Sequence, residues 1–473
     1  MSKADKNELL SRLSPVGQEH LLRFWDELDA GQQAVLAAQI TSIDWPTVCE
    51  WTHTTGQELS EAEKAAVAPA PYMPEIPLAG DKPLYDKAVK TGQQLLQEGK
   101  VAAFTVAGGQ GTRLGYDAPK GTYPISPILQ KSLFQIFAEG ILRTRAKYGR
   151  PISWYIMTSV INHDATIRFF RDHNFFGLDE ADVSFFSQAM LPAFDLETGK
   201  ALLETKGSLA LSPNGHGGSF QALRDSGALE DLRRKGITTL SYWQVDNPLI
   251  RQFDPLFLGL HTLTHSDMSS RALIKRDAKE KLGHFCLQDG RLIIIEYSDM
   301  PDSLLYRTDP DGRLSFRAGS PAIHVLDRAF IDRITSGKLN LKPHRAIKKV
   351  PYVDAGGNAV KPESPNALKL EFFLFDALPL ASNPLILEGN RDEEFAPVKN
   401  PDGQDSPASC RAAMNARAAR WLETAGIPFP RKPDGSPDAL VELSPALFGS
   451  AEDILANKSL IPDIKPGDRL TIG

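Results

Sequence analysis

The sequence predicts an α/β protein in which helices flank a central sheet, with a helical N-terminal part and a small C-terminal domain. Between about residues 100 and 380, short apolar runs alternate with helical stretches. That alternation is typical of a parallel sheet with helices on its faces. The flanks differ, because helical spacing dominates before residue 68, whereas prolines return and the runs shorten after residue 400.

The N-terminal stretch from about 5 to 68 favours helix because Leu21, Leu22, Trp25 and Leu28 recur at three- and four-residue spacing. Prolines then crowd the next fifteen residues, which excludes helix and inner strand and predicts a linker or a wrapping arm. We expect three parts: a helical subdomain with its Pro-rich linker over 1–83, a central domain over 84–400 and a small C-terminal domain over 401–473.

The central zone begins after an amphipathic helix that ends at Gly99. The predicted strands are VAAFTVA (101–107), SWYIMT (153–158), VSFFSQ (183–188), ITTLSYWQV (237–245), SRALIKR (270–276) and RLIIIEY (291–297). The predicted helices are LFQIFAEGILRTRAKYG (133–149), TIRFFRDH (166–173) and FQALRDSGALEDLRRKG (220–236).

Composition narrows the class of protein. The 473 residues carry a net charge of −6, which gives no electrostatic reason to expect nucleic acid or an anionic membrane as a partner. Cysteine occurs only at Cys49, Cys286 and Cys410 without a C-x-x-C pair, so we expect neither disulfides nor a zinc site. The N-terminus has no long apolar stretch, and no apolar run approaches 18 residues. We therefore expect a cytoplasmic protein.

The stretch VAGGQGTRLGYDAPKG, residues 106–121, follows a predicted strand directly. Three glycines, Gly108, Gly109 and Gly111, leave main-chain N–H groups accessible to a ligand at the carboxyl end of that strand. Arg113 and Lys120 follow and can neutralise phosphate charge. The spacing matches neither G-x-G-x-x-G nor the P-loop, which argues against a dehydrogenase and a P-loop NTPase. A glycine turn with solvated basic residues is the alternative.

Further candidates lie at other loops. PNGHGGSF, 213–220, places three glycines around His216, which otherwise suits a structural histidine. The strand ITTLSYWQV delivers Asp246 and Asn247 to the same sheet edge as the glycine loop, where a carboxylate suits Mg²⁺ or caps the next helix. Glu296 follows an apolar strand, and Lys399 lies in an acidic, loop-like segment.

These motifs together resemble one family, the UDP-sugar pyrophosphorylases, and most closely its UDP-N-acetylglucosamine pyrophosphorylase branch. The motifs that carry the resemblance are VAGGQGTRLG…PKG, SQAMLPAFD, PNGHGG, VDN, IIEYSDM, KKVPYVD, NALKLEFFLFD and RDEEFAPVKN. The resemblance implies a Rossmann-like (GT-A-like) mixed sheet as the central domain. It also implies that UTP and a sugar 1-phosphate react to a UDP-sugar and diphosphate with Mg²⁺, without a protein nucleophile.

The resemblance implies roles residue by residue. The groups implied at the nucleotide are Gly108, Gly109, Gly111, Gln188, Gly215 and His216, with Gly109 and Gln188 at the uracil edge. Arg113, Lys120 and Lys399 resemble the catalytic cations, and Asp246 resembles the metal-binding aspartate. The groups implied at the sugar are Gly283, Glu296, Ser320, Lys369, Phe373 and Phe375, of which the two phenylalanines also suit a plain core.

Two departures from the branch lie at the sugar end. His216 replaces the asparagine of the usual G-N-G-G, as in UDP-glucose and broad-specificity UDP-sugar pyrophosphorylases, and Ser320 replaces the expected asparagine. The branch resemblance implies N-acetylglucosamine 1-phosphate as the preferred substrate, and these departures keep glucose 1-phosphate or a broad sugar range as the alternative. A non-catalytic nucleotide-sugar-binding protein on the same fold is the remote alternative, and the presence of Arg113, Lys120 and Asp246 argues against it. The sequence leaves the oligomeric state open.

Overall fold

The computed structural model describes residues 5–54, 66–337 and 341–473. The α-helices in these ranges are α1 (Lys6–Leu13), α2 (Ala30–Thr41), α3 (Trp45–Thr54), α4 (Lys82–Gln97), α5 (Leu133–Tyr148), α6 (His163–Asp172), α7 (Ser219–Asp225), α8 (Ala228–Arg234), α9 (Pro255–Leu263), α10 (Asp302–Leu305), α11 (Arg328–Ile334), α12 (Arg391–Glu394), α13 (Pro407–Thr424) and α14 (Ala451–Ala456). The part of the N-terminal helical prediction that covers residues 55–65 lies outside the described residues.

The strands in the same ranges are β1 (Ala68–Pro69), β2 (Val101–Val106), β3 (Trp154–Thr158), β4 (Val183–Ser187), β5 (Met190–Pro192), β6 (Phe194–Asp195), β7 (Leu203–Thr205), β8 (Ser208–Leu209), β9 (Leu211–Pro213), β10 (Thr239–Gln244), β11 (Met268–Ile274), β12 (Gly283–Gln288), β13 (Arg291–Ile295), β14 (Ala318–Ser320), β15 (His324–Asp327), β16 (His344–Lys348), β17 (Tyr352–Val353), β18 (Ala359–Val360), β19 (Ala367–Glu371), β20 (Leu385–Glu388), β21 (Leu440–Leu443) and β22 (Arg469–Ile472).

The described residues form two compact units that alternate along the chain. The first takes its residues from Met1–Ser60, Gln188–Phe220 and Asn340–Asp376, and the second from Glu61–Ser187, Gln221–Leu339 and Ala377–Gly473. Compactness alone does not decide which segments fold independently, so the division at residues 83 and 400 stays a prediction.

The second unit contains the main sheet, with strand order β1-β12-β14-β11-β15-β10-β2-β3-β4, and with β13 and β20 attached to β12 and β11. The neighbours β10, β2, β3 and β4 are parallel, as the alternating pattern predicts. Beyond β10 the sheet turns mixed, because β15 pairs antiparallel with both β10 and β11. The predicted α/β class with a mixed central sheet is confirmed.

Close packing of helices explains two glycines in the second unit. A Cβ on Gly92 of α4 would lie 1.9 Å from the carbonyl oxygen of Pro255, and one on Gly259 of α9 would lie 1.7 Å from that of Ala88. Only glycine lets the two helix backbones approach this closely. The long helix α5 begins at the N-cap Ser132, whose side chain accepts a hydrogen bond from the N–H of Gln135.

Two sequence predictions need refinement. The Pro-rich segment is a wrapping arm and not a free linker, since the N–H of Ala70 bonds to Phe285 O at 3.3 Å and that of Met73 to Ile386 O at 2.9 Å. The predicted continuous helix over 220–236 is wrong, because it breaks into α7 and α8 at Gly227. Gly227 adopts φ +80°, which ends a right-handed helix.

The first unit holds α1, α2, α3 and a three-stranded sheet of order β16-β19-β6, with short pairs β5-β9, β7-β8 and β17-β18. In the second unit, α13 and the parallel pair β21-β22 enclose a separate apolar cluster that includes Leu422, Val441 and Ile454. None of the helices in the described ranges has the length and apolar character needed to cross a bilayer.

Candidate active site

The candidate site of the second unit lies where β2 and β10 end. These strands are parallel neighbours with Gln244 in register with Val106, so both run out at the same edge of the sheet. The glycine loop follows β2 and Asp246 follows β10. The sequence prediction that loop and carboxylate share one sheet edge is confirmed.

The glycine loop leaves open space where a ligand could approach. A Cβ on Gly109 would meet no described atom within 4 Å, whereas one on Gly111 would lie 2.7 Å from the ring of Tyr116. Neither glycine adopts positive φ, so backbone conformation does not require glycine at these positions. Ligand access explains Gly109, and close packing against Tyr116 explains Gly111. The carbonyl of Gly109 accepts hydrogen bonds from Lys120 N at 3.1 Å and from Asn162 Nδ2 at 3.2 Å, which hold the loop in place.

Lys120 and Asp246 form an ion pair at this edge. Lys120 Nζ lies 3.7 Å from Asp246 Oδ2, and the two side chains are 17% and 13% exposed. The two charges attract each other, but 3.7 Å is longer than a close hydrogen-bonded pair, so both groups keep the capacity to bind a ligand or an ion beside the pair. The arrangement suits a cation that faces substrate anions and a carboxylate that faces a metal.

Two further cations act on Lys120. Burial lowers the pKa of Lys120 most strongly, Asp246 opposes that shift, and the charges of Lys399 and Arg113 lower the pKa further. Arg113 is exposed and Lys399 is half-buried. Lys399 and Arg113 therefore both lie within electrostatic range of Lys120, and an anionic ligand at Lys120 would relieve the repulsion that they exert on it.

Asn247 holds the segment that carries Lys399, a role that the sequence analysis did not recognise. Its buried amide donates from Nδ2 to the carbonyl oxygen of Glu394 at 2.7 Å, and its Oδ1 accepts from the N–H of Ala396 at 3.1 Å. The N–H of Val398 also donates to the carbonyl oxygen of Asp246 at 2.9 Å. The motifs VDN and EEFAPVKN are far apart in the sequence, and only the structure shows that hydrogen bonds join them.

Asp405 is a second carboxylate that the sequence analysis missed. Its carbonyl oxygen accepts from the N–H of Lys399 at 2.6 Å. Burial raises the pKa of Asp405, Lys399 lowers it, and the charge of Asp246 raises it. The two aspartates are therefore close enough to interact electrostatically. Asp405 lies in a polar turn six residues after Lys399, with no motif to mark it.

A divalent cation fits the donor set at Asp246. Among the described residues, no three His, Cys, Asp or Glu side chains lie close enough together to hold a metal ion alone. Mg²⁺, however, usually takes only one or two protein carboxylates and completes its shell with water and substrate phosphates. Asp246 at a strand end, with Asp405 nearby, matches that requirement.

Three predicted sugar-binding residues also come together in the second unit. Gly283 of β12 is in register with Ser320 of β14. A Cβ on Gly283 would lie 3.3 Å from Glu296 Oε1 and 2.7 Å from the side chain of Ile294. A larger residue at 283 would therefore crowd Glu296, the carboxylate that the resemblance assigns to sugar hydroxyls.

The first unit brings together His216, Phe373 and Phe375. The segments that contain them are bonded, because the N–H of Phe372 donates to Asn214 O and that of Gly217 donates to Phe372 O, both at 2.8 Å. The rings of His216 and Phe373 stack with centroids 5.4 Å apart, and those of Phe373 and Phe375 lie 5.1 Å apart. These residues form one aromatic cluster.

His216 is neutral, and its tautomer is set by the backbone. The N–H of Leu374 donates to His216 Nδ1 at 3.2 Å, so the ring proton lies on Nε2. Burial, with a smaller effect of His344, lowers the pKa of His216 to about 4. Around neutral pH this side chain is an uncharged hydrogen-bond donor.

The other predicted residues of the first unit lie on neighbouring elements. Gln188 is buried and precedes Ala189, whose carbonyl oxygen accepts from the N–H of Asn214 at 3.0 Å, one residue before Gly215. Lys369 lies on β19 in register with Ala346. Gly215 adopts φ +83°, and a Cβ there would lie 2.5 Å from Phe372 O, so glycine is required on both counts.

A mixed α/β sheet that gathers open backbone, cations and a carboxylate at one edge defines a nucleotide-binding protein suited to phosphoryl chemistry. The sequence profile of the family described as UTP–glucose-1-phosphate uridylyltransferase matches residues 68–473. The chain belongs to this family and is a nucleotidyltransferase, which confirms the family predicted from the motifs.

Individual relatives agree with the family assignment. The chain is 37% identical to UDP-N-acetylhexosamine pyrophosphorylase-like protein 1 of Homo sapiens, over 95% of this chain and 94% of that protein. It is 33% identical to UDP-N-acetylglucosamine pyrophosphorylase of Saccharomyces cerevisiae, over 94% and 96%. Its structure matches the uridine diphosphate N-acetylglucosamine pyrophosphorylase of Trypanosoma brucei with a TM-score of 0.82 and 25% identity, over 99% of each chain.

Proposed function

We propose that this protein is a UDP-N-acetylglucosamine pyrophosphorylase, which converts UTP and N-acetylglucosamine 1-phosphate to UDP-N-acetylglucosamine and diphosphate. The observation that carries the proposal is the grouping of Lys120, Asp246, Lys399 and Arg113 at the edge of the sheet that bears the glycine loop. The names of the relatives in yeast and Trypanosoma brucei support the choice of sugar.

In the proposed reaction, an oxygen of the sugar phosphate attacks the α-phosphorus of UTP. The new P–O bond forms in line as the bond between the α-phosphorus and the bridging oxygen to the β-phosphorus breaks, and diphosphate leaves with that electron pair. Two anions must approach each other, so catalysis consists of positioning and charge stabilisation. No protein nucleophile is needed.

The side chains divide this work. Lys120 and Arg113 would offset charge on the triphosphate and on the departing diphosphate, and Lys399 would offset charge between the α-phosphate and the sugar phosphate. A fixed cation in a partly dry site stabilises such charge by several kcal/mol. The loss of transition-state stabilisation on removing one hydrogen-bond donor to an oxyanion is of the same order. Asp246 would hold Mg²⁺, which when bound would neutralise part of the phosphate charge.

Recognition of the two organic groups rests on the family resemblance. Gly108, Gly109, Gly111, Gln188, Gly215 and His216 would bind the nucleotide. Gly283, Glu296, Ser320, Lys369, Phe373 and Phe375 would bind the sugar. The register of Gly283 with Ser320 and the aromatic cluster around Phe373 support these assignments.

Glucose 1-phosphate is the second candidate substrate. His216 supplies a neutral donor where the N-acetylglucosamine branch usually has asparagine, and Ser320 is shorter than the expected asparagine. The deciding experiment compares kcat/KM for the two sugar 1-phosphates with UTP and Mg²⁺. We expect N-acetylglucosamine 1-phosphate to be preferred, and a hundredfold preference for glucose 1-phosphate would overturn that choice. Absence of diphosphate release with every sugar 1-phosphate would overturn the catalytic proposal itself.

The thiols support a cellular compartment for the reaction. Cys49, Cys286 and Cys410 are all free, which suits a reducing compartment. We propose a cytoplasmic enzyme whose partners are its small-molecule substrates. Fractionation of cells followed by immunoblotting tests the compartment, and recovery of the protein with a membrane or an organelle would contradict it.

A further inference from the structure

The side chain of Asn162 bonds to the backbone of the glycine loop from the connection between β3 and α6. Strands β2 and β3 are parallel neighbours with Val106 in register with Met157, so both connections leave the sheet at the same edge. Asn162 is 0% exposed, although its neighbours Val160 and Ile161 are exposed. A buried polar side chain needs hydrogen-bond partners, and the partners of Asn162 indicate what it does.

The orientation of the Asn162 amide is fixed on its acceptor side. Oδ1 accepts from the backbone N–H of Ser159 at 2.8 Å and from Ser159 Oγ at 3.1 Å. A backbone N–H can only donate, so the amide oxygen must face Ser159. The NH₂ group of Asn162 must therefore face the other way, towards the glycine loop.

That NH₂ group bonds to two carbonyl oxygens of the loop. Nδ2 donates to Ala107 O at 2.9 Å and to Gly109 O at 3.2 Å, and its two hydrogens suffice for both bonds. Gly109 O also accepts from the N–H of Lys120 at 3.1 Å. The amide of Asn162 is therefore fully used, and it ties the loop to the connection after β3.

The two bonds set the direction of two peptide groups. In a trans peptide the C=O and the N–H point in opposite directions. The carbonyl of Ala107 shares a peptide group with the N–H of Gly108, and the carbonyl of Gly109 shares one with the N–H of Gln110. Because both carbonyls face Asn162, these two N–H groups point away from it.

The N–H groups directed in this way have no partner in the part of the chain that the structure describes. Neither Gly108 nor Gln110 donates a backbone hydrogen bond there, and Gly109 between them donates none either. Gly108 and Gln110 are half-buried, and Gly109 is exposed. Successive unbonded N–H groups on accessible backbone are donors for a ligand oxygen.

Capping of α6 does not explain Asn162. The residue is the N-cap of this helix, but its side chain accepts no hydrogen bond from the first turn. Asparagine is usually favoured at an N-cap because its side-chain oxygen accepts such a bond. Here the side chain bonds to Ser159 and to the loop instead, so its contribution is to the loop and not to the helix.

We propose that Asn162 is a positioning residue for nucleotide binding, which holds the glycine loop so that the N–H groups of Gly108 and Gln110 face UTP. The inference rests on the proposed function for the identity of the ligand, but not for the hydrogen bonds that hold the loop. A loop already fixed in its binding geometry loses less conformational entropy when the ligand binds.

The first measurement needs no ligand. Asn162→Ala removes both bonds to the loop, so the backbone amides of residues 106–121 should exchange with deuterium faster than in wild type. Asn415→Ala is the matched control, because it removes a buried amide that also bonds to two backbone groups, Ala439 O and Val441 N–H. It should lower Tm to a similar degree and leave the exchange of 106–121 unchanged.

The second measurement is the Kd for UTP, obtained by isothermal titration calorimetry. Asn162→Ala should raise this Kd at least tenfold, whereas Asn415→Ala should leave it near the wild-type value. Asn162→Ser keeps one hydroxyl donor and should raise the Kd less, and it serves as the test if the alanine variant does not fold. Both substitutions are neutral, so neither repels the triphosphate.

The outcomes separate the inference from the proposed function. If the wild-type protein binds UTP and both Asn162 variants bind it equally well, Asn162 is a structural residue and the inference is overturned. Unchanged exchange over 106–121 in these variants would overturn it as well. Failure of the wild-type protein itself to bind UTP would overturn the proposed function, and the assignment of the ligand with it.

Discussion

The side-chain amide of Asn247 donates a hydrogen bond to the carbonyl oxygen of Glu394 at 2.7 Å. This bond joins the strand end that carries Asp246 to the segment that ends in Lys399. The separation of the two catalytic candidates is therefore set by a residue that need not touch substrate.

Asn247→Asp should lower kcat about tenfold with little change in the KM for UTP. The aspartate keeps the shape but replaces the donor with an acceptor that faces a carbonyl oxygen, and loss of one buried hydrogen bond costs about 1 to 1.5 kcal/mol. Steady-state kinetics with varied UTP measures the effect.

Asn415→Asp is the matched control for that variant. The side chain of Asn415 also joins two backbone segments, since its Nδ2 donates to Ala439 O and its Oδ1 accepts from the N–H of Val441, both at 2.9 Å. These bonds lie beside the apolar cluster that includes Leu422 and Val441. Asn415→Asp should lose stability to a similar degree while its kcat stays near wild type. Equal losses of kcat in the two variants would reduce Asn247 to a structural residue.

Lys120→Met should lower kcat/KM by roughly two orders of magnitude or more, as removal of a preorganised charge donor does. It should not lower Tm, because the pKa of Lys120 is lowered in the folded protein and its charged form is therefore disfavoured by folding. Thermal unfolding and initial-rate assays on the same sample test both halves.

Lys131→Met provides the contrast. Lys131 pairs with Glu139 at 2.7 Å with side chains 11% and 13% exposed, a burial similar to that of the Lys120 pair but outside the candidate site. Here we expect a lower Tm and an unchanged rate. A large loss of Tm in Lys120→Met, equal to that in Lys131→Met, would contradict the assignment of Lys120 to ligand charge.

Lys399→Ala should lower kcat far more than it raises the KM for UTP. The contact is expected to strengthen as negative charge develops between the two phosphates, so it acts on the transition state and not on ground-state binding. The same assays on the exposed Lys432→Ala serve as the control. A normal kcat in Lys399→Ala would leave this lysine without a catalytic role.

The stability of the protein should fall as the pH drops from about 6.5 towards 4. Burial lowers the pKa values of His216, His261 and His284 to about 4 in the folded protein. Between pH 6.5 and 4 these histidines are therefore more protonated in the unfolded chain than in the folded chain. Each histidine can cost up to about 1.4 kcal/mol per pH unit in that window, and none of this loss occurs above it.

His261→Gln tests this pH dependence at a site away from the chemistry. His261 is buried with Nδ1 2.9 Å from Ser269 Oγ, and its replacement should remove about one proton from the uptake measured on unfolding between pH 6.5 and 4. Parallel curves for wild type and His261→Gln would refute the prediction.

Local patterns predicted most of the α/β framework correctly. The runs at 101–107, 153–158 and 237–245 became parallel strands because nearly every side chain in them is buried, which a continuous apolar run indicates. The short antiparallel strands β14 and β15 were not predicted, since three or four residues carry too little periodicity. The break at Gly227 was missed because a single glycine is tolerated inside many helices.

The sequence predicted the site residues that directly follow strands. It did not predict the residues whose positions depend on hydrogen bonds between loops. Asp246 and the glycine loop could be brought together from strand order alone. Asn247 and Asp405 could not, because their contacts join segments separated by up to 149 residues or lie within a turn of no regular pattern. The pairing of 214–217 with 372–374 in the first unit likewise has no local signature.

The main sheet ends at β1, a strand of two residues that includes Pro69. A proline nitrogen has no hydrogen to offer, so an incoming chain finds no continuous row of donors with which to extend the ladder. The wrapping arm thus also acts as a stop against edge-to-edge aggregation. A lengthened, proline-free arm would expose the enzyme to that hazard during folding and storage.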